Sequence, residues 1–307
     1  MAVAEDSLRV HTSASVVVGG SNRFVRWMRG LGWRHLVAWA ALIFAIFPVI
    51  WIISASFNPT GTLISQRLIP RQFTFDNYRQ LFEVDVPFTS WYLNTLLIAG
   101  GAALANTMLA ALAAYSFSRM RFRGRRTGLL SVLLIQMFPQ ILAFVAIFLI
   151  MVSIKDVFPA IGLGTRTGLM LVYLGGAMGV NTWLMKGFFD TIPVDLDESA
   201  KVDGASHSQI FFRILLPLVA PILAVVFLLS FIFLINDFVI ASAVLGQGSP
   251  DKFTLAVGLY RYLNDQFNVR WGPFAAGALL TGLPVVILFQ FLQRYIVSGL
   301  TQGAVKG

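Results

Sequence analysis

Six stretches of this chain run uncharged for long enough to cross a bilayer, and few folds are open to a chain so built. They are Leu36 to Phe57, Trp91 to Ser118, Thr127 to Ile154, Thr167 to Met185, Ile214 to Asn236 and Trp271 to Gln293; a helical crossing needs about 20 apolar residues. In hydrocarbon every backbone N–H and C=O must find its partner within the protein, so only helices and closed barrels span a membrane. A barrel strand would alternate polar and apolar residues over about ten positions, and these runs do not. Charged residues are 12% of the chain and hydrophobic ones 57%, where a soluble domain carries about 25% charged residues. The expectation is an all-α integral membrane protein with six transmembrane helices.

Orientation follows from the basic residues, because cytoplasmic loops keep the excess of Lys and Arg. With both termini inside, the inner segments hold Arg9, Arg23, Arg26, Arg29 and Arg34, then the cluster Arg119, Arg121, Arg123, Arg125 and Arg126, then Lys186, Lys201 and Arg213, and finally Arg294 and Lys306. These are most of the chain's 23 Lys and Arg. The net charge of +9 therefore reads as a topology signal and calls for no nucleic acid partner. Residues 1–35 form a basic cytoplasmic arm, 36–296 the six-helix domain and 297–307 a cytoplasmic tail. The arm is too long and polar for the n-region of a cleaved signal and the next run too long for its h-region, so the first run is expected to remain as a span.

The polar loop 190–217 faces the cytoplasm in this arrangement. Pro193 halts what precedes it, and Asp195 with Glu198 has capping-box spacing, which predicts a short helix from there to about Asp203. Gly204 suits a sharp turn at positive φ. Ser206 with Gln209 repeats the capping-box spacing, and Ile210, Phe211, Ile214 and Leu215 give a second helix its apolar stripe. Pro217 and Pro221 mark entry into the next span. Helix, glycine turn and helix make a compact element able to dock in a cleft of another protein.

Two outer loops are candidates for an external partner. Asn58 to Ser90 carries Phe73, Phe75, Tyr78, Leu81 and Phe82, and Leu245 to Arg270 carries a helix predicted over Leu255 to Leu263. Within the spans, the Gly175 and Gly179 spacing reads as close helix packing, and Pro48, Pro139 and Pro284 predict kinks. Asp237, beside Asn236, is the one ionisable residue in a span; it is either an interfacial helix end or, with Asn236 and Pro139, a gate or pathway candidate. Amides at Asn94, Asn106, Gln136, Gln140, Asn181 and Gln290 supply either a polar lining or interhelical hydrogen bonds.

Several chemistries are missing. There is no Gly-x-x-x-x-Gly-Lys-Ser/Thr phosphate loop and no Gly-x-Ser-x-Gly nucleophile elbow. His11, His35 and His207 lack metal-ligand spacing, and cysteine is absent. No catalytic residue, metal site or bound cofactor is expected in this chain. Buried carboxylates for a proton relay are missing too, so energy for uphill transport must enter through another chain, and a membrane enzyme or self-contained carrier is a remote alternative.

Glu198-Ser-Ala, three residues, Gly204, nine residues and Ile214-Leu-Leu-Pro together resemble the coupling loop of bacterial ABC importer permeases, with Ser199 in place of the second alanine of Glu-Ala-Ala. Ser90-Trp-Tyr-Leu-Asn-Thr-Leu, Gln136-Met-Phe-Pro, Leu184-Met-Lys-Gly-Phe-Phe, Pro221-Ile-Leu-Ala-Val-Val-Phe and the tail from Gln293 to Gly307 are similar to the MalG-type permease subunits of maltose and maltodextrin importers. The likeness runs from about Leu36 to Gly307. It implies the type I ABC importer permease architecture in the bacterial cytoplasmic membrane, embedded in lipid. It also implies a heterodimer with a larger MalF-like subunit, a homodimeric cytosolic ATPase carrying ATP and Mg, and an extracytoplasmic sugar-binding protein. Maltose, maltodextrin or a related α-glucoside would be the cargo, the alternative being another sugar, a polyol or a glycerol-phosphate-like solute. By the same resemblance Glu198, Ser199, Ala200, Asp203, Gly204, Ala205, Ile214, Leu216 and Pro217 would couple to the ATPase. The tail residues Gly299, Gln302, Gly303 and Lys306 would touch it as well, and Gly248, Ser249, Pro250, Asp251 and Lys252 would contact the binding protein.

Overall fold

The computed structural model describes residues 27–59, 68–176, 179–264 and 269–304, and among these all regular structure is helical. The described residues divide between Trp51 and Ile52 into two units. In the first, a π-helical turn over Met28–Gly32 leads into α1, Trp33–Ser56, whose last five residues belong to the second. The helix thus begins ahead of Leu36, while residues 1–26 of the expected arm lie outside those described. Apolar side chains such as Leu36, Ile43 and Phe44 are exposed along α1, the pattern of a helix made to face hydrocarbon.

The second unit is assembled on α2, Phe88–Arg119. Ile98, Ala99, Ala102, Ala103, Asn106, Thr107, Ala110, Ala111 and Ala114 form one buried stripe, following the three- and four-residue spacing of a helix face. Small side chains there let neighbouring helices approach closely. The remaining principal helices are α3 Arg125–Gln136, α4 Gln140–Val157, α5 Arg166–Leu174, α6 Val180–Thr191, α7 Asp195–Val202, α8 His207–Leu218, α9 Ala220–Ile235, α10 Val239–Leu245, α11 Leu255–Tyr260 and α12 Trp271–Ala304. Of these, α5, α6 and α9 pack on α2, and α12 packs on α9.

Among the described residues three helices are long and apolar enough to cross a membrane alone: Gly30–Ser56, Phe88–Arg119 and Trp271–Ile296. The pair α8 and α9, bent by 79°, makes a fourth when taken together. The third and fourth apolar runs are each carried by two shorter helices. Pro48 and Pro284 sit inside unbroken helices, but Pro139 is extended at ψ 114° and starts α4, so the expected kink is a full break. Gly175 and Gly179 likewise do not line a helix seam. Gly175 ends α5, and Gly179 precedes α6, where Gln136 Oε1 accepts the Val180 N–H at 3.1 Å. An added Cβ at Gly179 would overlap that amide, so glycine here admits a hydrogen bond from α6 to α3. The helix α11 stops at Tyr260, short of Leu263, and 265–268 fall outside the described residues.

Besides a cluster at its start that includes Phe88 and Trp91 with Leu81 and Leu255, two cores lie along α2. Around its first half, Ile98, Ala102, Leu169, Tyr173, Phe231, Val244 and Leu245 pack together. Around its second half, Ala110, Ala114, Tyr115, Met185, Phe189, Phe211, Leu215 and Val226 do the same. Tyr115 lies 5.1 Å from Phe211 and 6.2 Å from Phe189 between ring centroids, and those two phenylalanines are 6.3 Å apart. This triangle ties α2, α6 and α8 together. Phe189 is fully buried and the adjacent Phe188 is 40% exposed. Phe189→Ala should therefore cost about 3–5 kcal/mol, and Phe188→Ala no more than about 0.5 kcal/mol. Thermal unfolding in detergent reads the contrast: a clearly lowered midpoint for the first only.

Candidate functional site

The polar loop after α6 folds into two short helices around one glycine. Val194 already has helical backbone angles and caps nothing with its side chain, so Asp195 lies inside the first turn of α7 and the expected capping box there does not form. Asp195, Asp197 and Glu198 instead crowd the positive end of the helix, where carboxylates are favoured. At the other end Gly204 takes φ +83°. Its N–H donates to Lys201 O at 3.0 Å, and the Ala205 N–H donates to Ala200 O at 2.9 Å. This paired closure of a helix needs a left-handed residue, which glycine adopts at least cost. The second capping box is complete: Gln209 N–H donates to Ser206 Oγ at 3.3 Å and Ser206 N–H to Gln209 Oε1 at 2.8 Å. Beyond it α8 widens to π geometry over Ile210–Leu215, a feature the apolar stripe did not announce.

The loop has two faces. Asp197, Ala200, Ile210, Phe211 and Leu215 are buried against the second core, with Ala205, Ile214 and Leu216 half-buried beside them. Glu198, Ser199, Asp203, Gly204 and Pro217 are exposed. They share the outer face with Val194, Leu196 and Val202, of which Val202 is 87% exposed. Nothing lies within 4 Å of a Cβ built on Gly204. The loop is thus apolar outside as well as inside.

The seat of the loop is the final turn of α2. Arg119 Nε lies 2.9 Å from Asp197 Oδ2, with the two side chains 7% and 4% exposed. The N–H is not aimed at that oxygen and Asp197 Oδ1 has no hydrogen-bond partner, so the attachment is a charge pair at ion-pair distance. A second guanidinium nitrogen donates to Ile192 O at 2.8 Å. Ser118 Oγ donates to Asp190 Oδ1 at 2.6 Å, and Lys186 Nζ bonds the other carboxylate oxygen. Burial opposes ionisation of Asp190, but the bonds from Lys186 and Ser118, with the Lys186 and Arg125 charges, outweigh it and hold the carboxyl below its ordinary value. Tyr115 OH lies 3.4 Å from His207 Nδ1. Removing one partner of so buried an ion pair costs about 3–5 kcal/mol. Neither Arg119 nor Asp197 stood out in the sequence; the signal was an acidic residue three positions before the buried Ala200, on the inward face of a helix.

The Gly248 loop is clamped to the opposite end of α2. Trp91 Nε1 donates to Pro250 O at 2.7 Å, while Asn94 Nδ2 donates to Asp251 O at 2.7 Å and Phe253 O at 3.0 Å. Asn94 Oδ1 accepts from Arg166 at 2.8 Å, and the Leu255 N–H donates to Thr95 Oγ1 at 2.7 Å. Gly248 passes so close to Gly164 that a side chain would meet its carbonyl. Carbonyls are held inward while Ser249, Pro250 and Asp251 stay exposed and Lys252 half-exposed. In the preceding outer loop Phe57 packs edge-on against Phe75 and at a tilt against Phe73 and Tyr78.

Other sequence candidates have structural partners. Asp237 Oδ2 accepts from Tyr173 OH at 2.7 Å and from the Ala241 N–H at 3.0 Å, so this carboxylate caps α10. Asn236 turns back to Ile232 O at 2.7 Å. Asn106 reaches Tyr173 O at 3.3 Å, Asn181 reaches Ser230 Oγ at 3.4 Å, and Gln290 accepts from Gln293 at 2.7 Å. Asn94, Asn106, Gln136 and Asn181 thus bond between helices, whereas the Gln290 and Asn236 bonds lie within one helix. The backbone of Gly299, Gln302 and Gly303 continues α12, and Lys306 lies outside the described residues.

Comparison with known proteins places this geometry. GanQ of Bacillus subtilis, a galactooligosaccharides transport system permease protein, is 42% identical over 92% of this chain and 97% of its own length. The maltose/maltodextrin transport system permease protein MalG of Escherichia coli K12 is 39% identical over 89% of this chain and 95% of its own. MalG of Vibrio parahaemolyticus is 38% identical over 95% and 100%. A crystal structure of a bacterial ABC transporter involved in the import of the acidic polysaccharide alginate shares the fold with a TM-score of 0.73, at 24% identity over 88% of this chain and 98% of that one. The family profile described as binding-protein-dependent transport system inner membrane component matches residues 106–302. With the profile covering most of the chain and relatives at about 40% identity along nearly its whole length, the chain belongs to the binding-protein-dependent transport system inner membrane components.

Proposed function

We propose that the chain is one of two permease subunits of an ATP-driven importer for a short oligosaccharide. The observation carrying this is the exposed outer face of α7, Gly204 and Pro217, backed by a packed core and bearing the Glu198 to Pro217 coupling pattern. Six crossings are proposed, with α3 and α4 forming the third, α5 and α6 the fourth, and both termini cytoplasmic. The partners are a larger MalF-like subunit, a homodimeric ATPase that holds ATP and Mg, and an extracytoplasmic sugar-binding protein. ATP closes the ATPase dimer, the coupling loops follow, and the permease pair opens to the outside by alternating access. At that outer side the clamped loop Gly248 to Lys252 would meet the binding protein. Maltodextrin is one cargo; the GanQ relative at 42% identity supports galactooligosaccharide as the other.

Three outcomes check this reading. Deletion of the chain should abolish uptake of labelled maltotriose or of a labelled galactotriose, and a plasmid copy should restore it; unaffected uptake of both removes the oligosaccharide assignment. Glu198→Lys should lower ATPase co-purification about tenfold by reversing charge at an exposed docking face, whereas Gly204→Val, strained by about 1–2 kcal/mol at positive φ, should insert normally and lose transport. Asn94→Leu, which strands the Arg166 guanidinium and two loop carbonyls at a cost of about 1–3 kcal/mol, should weaken binding-protein stimulation of ATP hydrolysis with the ATPase still bound.

A further inference from the structure

We propose that Arg119 is a positioning residue for transport, and that its pairing with Asp197 makes the loop 190–217 and helix α2 a single moving piece. This rests on the reading of that loop as the ATPase contact. Arg119 is the last residue of α2, and its guanidinium spans two points of the loop, Asp197 Oδ2 at 2.9 Å and Ile192 O at 2.8 Å. The two turns before it add Ser118 to Asp190 at 2.6 Å and Tyr115 to His207 at 3.4 Å. Contacts at 190, 192, 197 and 207 hold both arms on either side of the Gly204 turn.

The chemistry of the joint distinguishes it from ordinary packing. Two apolar side chains would fill the same space with less desolvation cost, since buried ion pairs are seldom the most stable solution. A planar guanidinium adds what an apolar contact lacks, a second point of attachment: while one nitrogen sits at ion-pair distance from Asp197, another donates to Ile192 O and fixes the register of the loop. Among the described residues Asp197 has Arg119 as its one ion-pair partner, and its Oδ1 accepts no hydrogen bond. Asp197 and Glu198 are successive residues on α7, about 100° apart around the helix axis. One points into the seat and the other is exposed. A force applied to the Glu198 face therefore reaches Arg119 through one turn of helix, and through α2 reaches α5, α6 and α9.

The test uses the complete importer in proteoliposomes, comparing Arg119→Gln, Asp197→Asn, the double variant and the conservative Arg119→Lys. Each single neutral variant should lower sugar moved per ATP hydrolysed about tenfold, the scale of a broken coupling contact, with ATPase co-purification within about twofold of normal. The double variant should lose no more than Arg119→Gln alone, because the Asp197 contact is already gone in that variant. An unchanged ratio in Asp197→Asn, or losses that add in the double, overturns the joint. If the neutral variants do not accumulate, Arg119→Lys decides: it keeps the charge and loses the fork, so a normal ratio overturns the proposal and a reduced one supports it. Glu198→Lys separates the two levels. ATPase retention and normal transport in that variant sink the coupling reading itself, whereas ATPase loss there with a normal ratio in Asp197→Asn sinks the joint alone.

Discussion

The alanine face of α2 is the surface on which the second unit depends. Helices in hydrocarbon gain little from burying apolar area against one another, because lipid is as apolar as leucine; they associate through close contact and polar links. Ala99, Ala102, Ala103, Ala110, Ala111 and Ala114 are all nearly or fully buried, and each keeps the neighbouring backbone close. The polar links stand at the two ends, Asn94 and Trp91 at one and Arg119 with Tyr115 at the other. A single helix therefore carries, at opposite ends, the seat of the Glu198 loop and the clamp of the Gly248 loop.

That arrangement divides labour within the loop by helical phase. Asp197 and Ala200 face inward, and Glu198, Ser199 and Val202 face outward. The inner set needs exact fit, since a small residue at 200 and a charge at 197 are both buried under the second core. The outer set is free of such contacts, which suits a surface that meets a separate chain. Gly204 joins the two roles, because its left-handed backbone closes α7 and turns the chain into the capped start of α8.

Much of this was legible in the sequence, and the failures have physical causes. Long uncharged runs announced apolar helices, of which three, or four with the bent pair, are long enough to cross among the described residues, yet the kink read at Pro139 and the packing read at Gly175 and Gly179 are breaks. Gly179 ends up at a break where Gln136 takes the Val180 N–H, a contact between residues 44 positions apart, and Pro139 is extended ahead of α4. Capping-box spacing occurs twice in the loop and forms once. Ser206 has the extended backbone, ψ 160°, that a cap requires, while Val194 ahead of Asp195 is already helical. Asp197 read as one of several carboxylates in a polar stretch, and only the phase of α7 reveals that it is the buried one. Arg119 was hidden in the same way, inside an arginine cluster read as a topology signal.

The account turns on the outward face of α7 meeting the ATPase. Since the chain has no cysteine, Val202→Cys, at the most exposed large apolar residue of the loop, can be labelled alone with a photoactivatable cross-linker in the assembled importer. A covalent adduct containing the ATPase subunit, formed in good yield and lost when ATPase is stripped from the membrane, is the predicted result. Adducts with lipid or with the other permease subunit, and none with the ATPase, would contradict it.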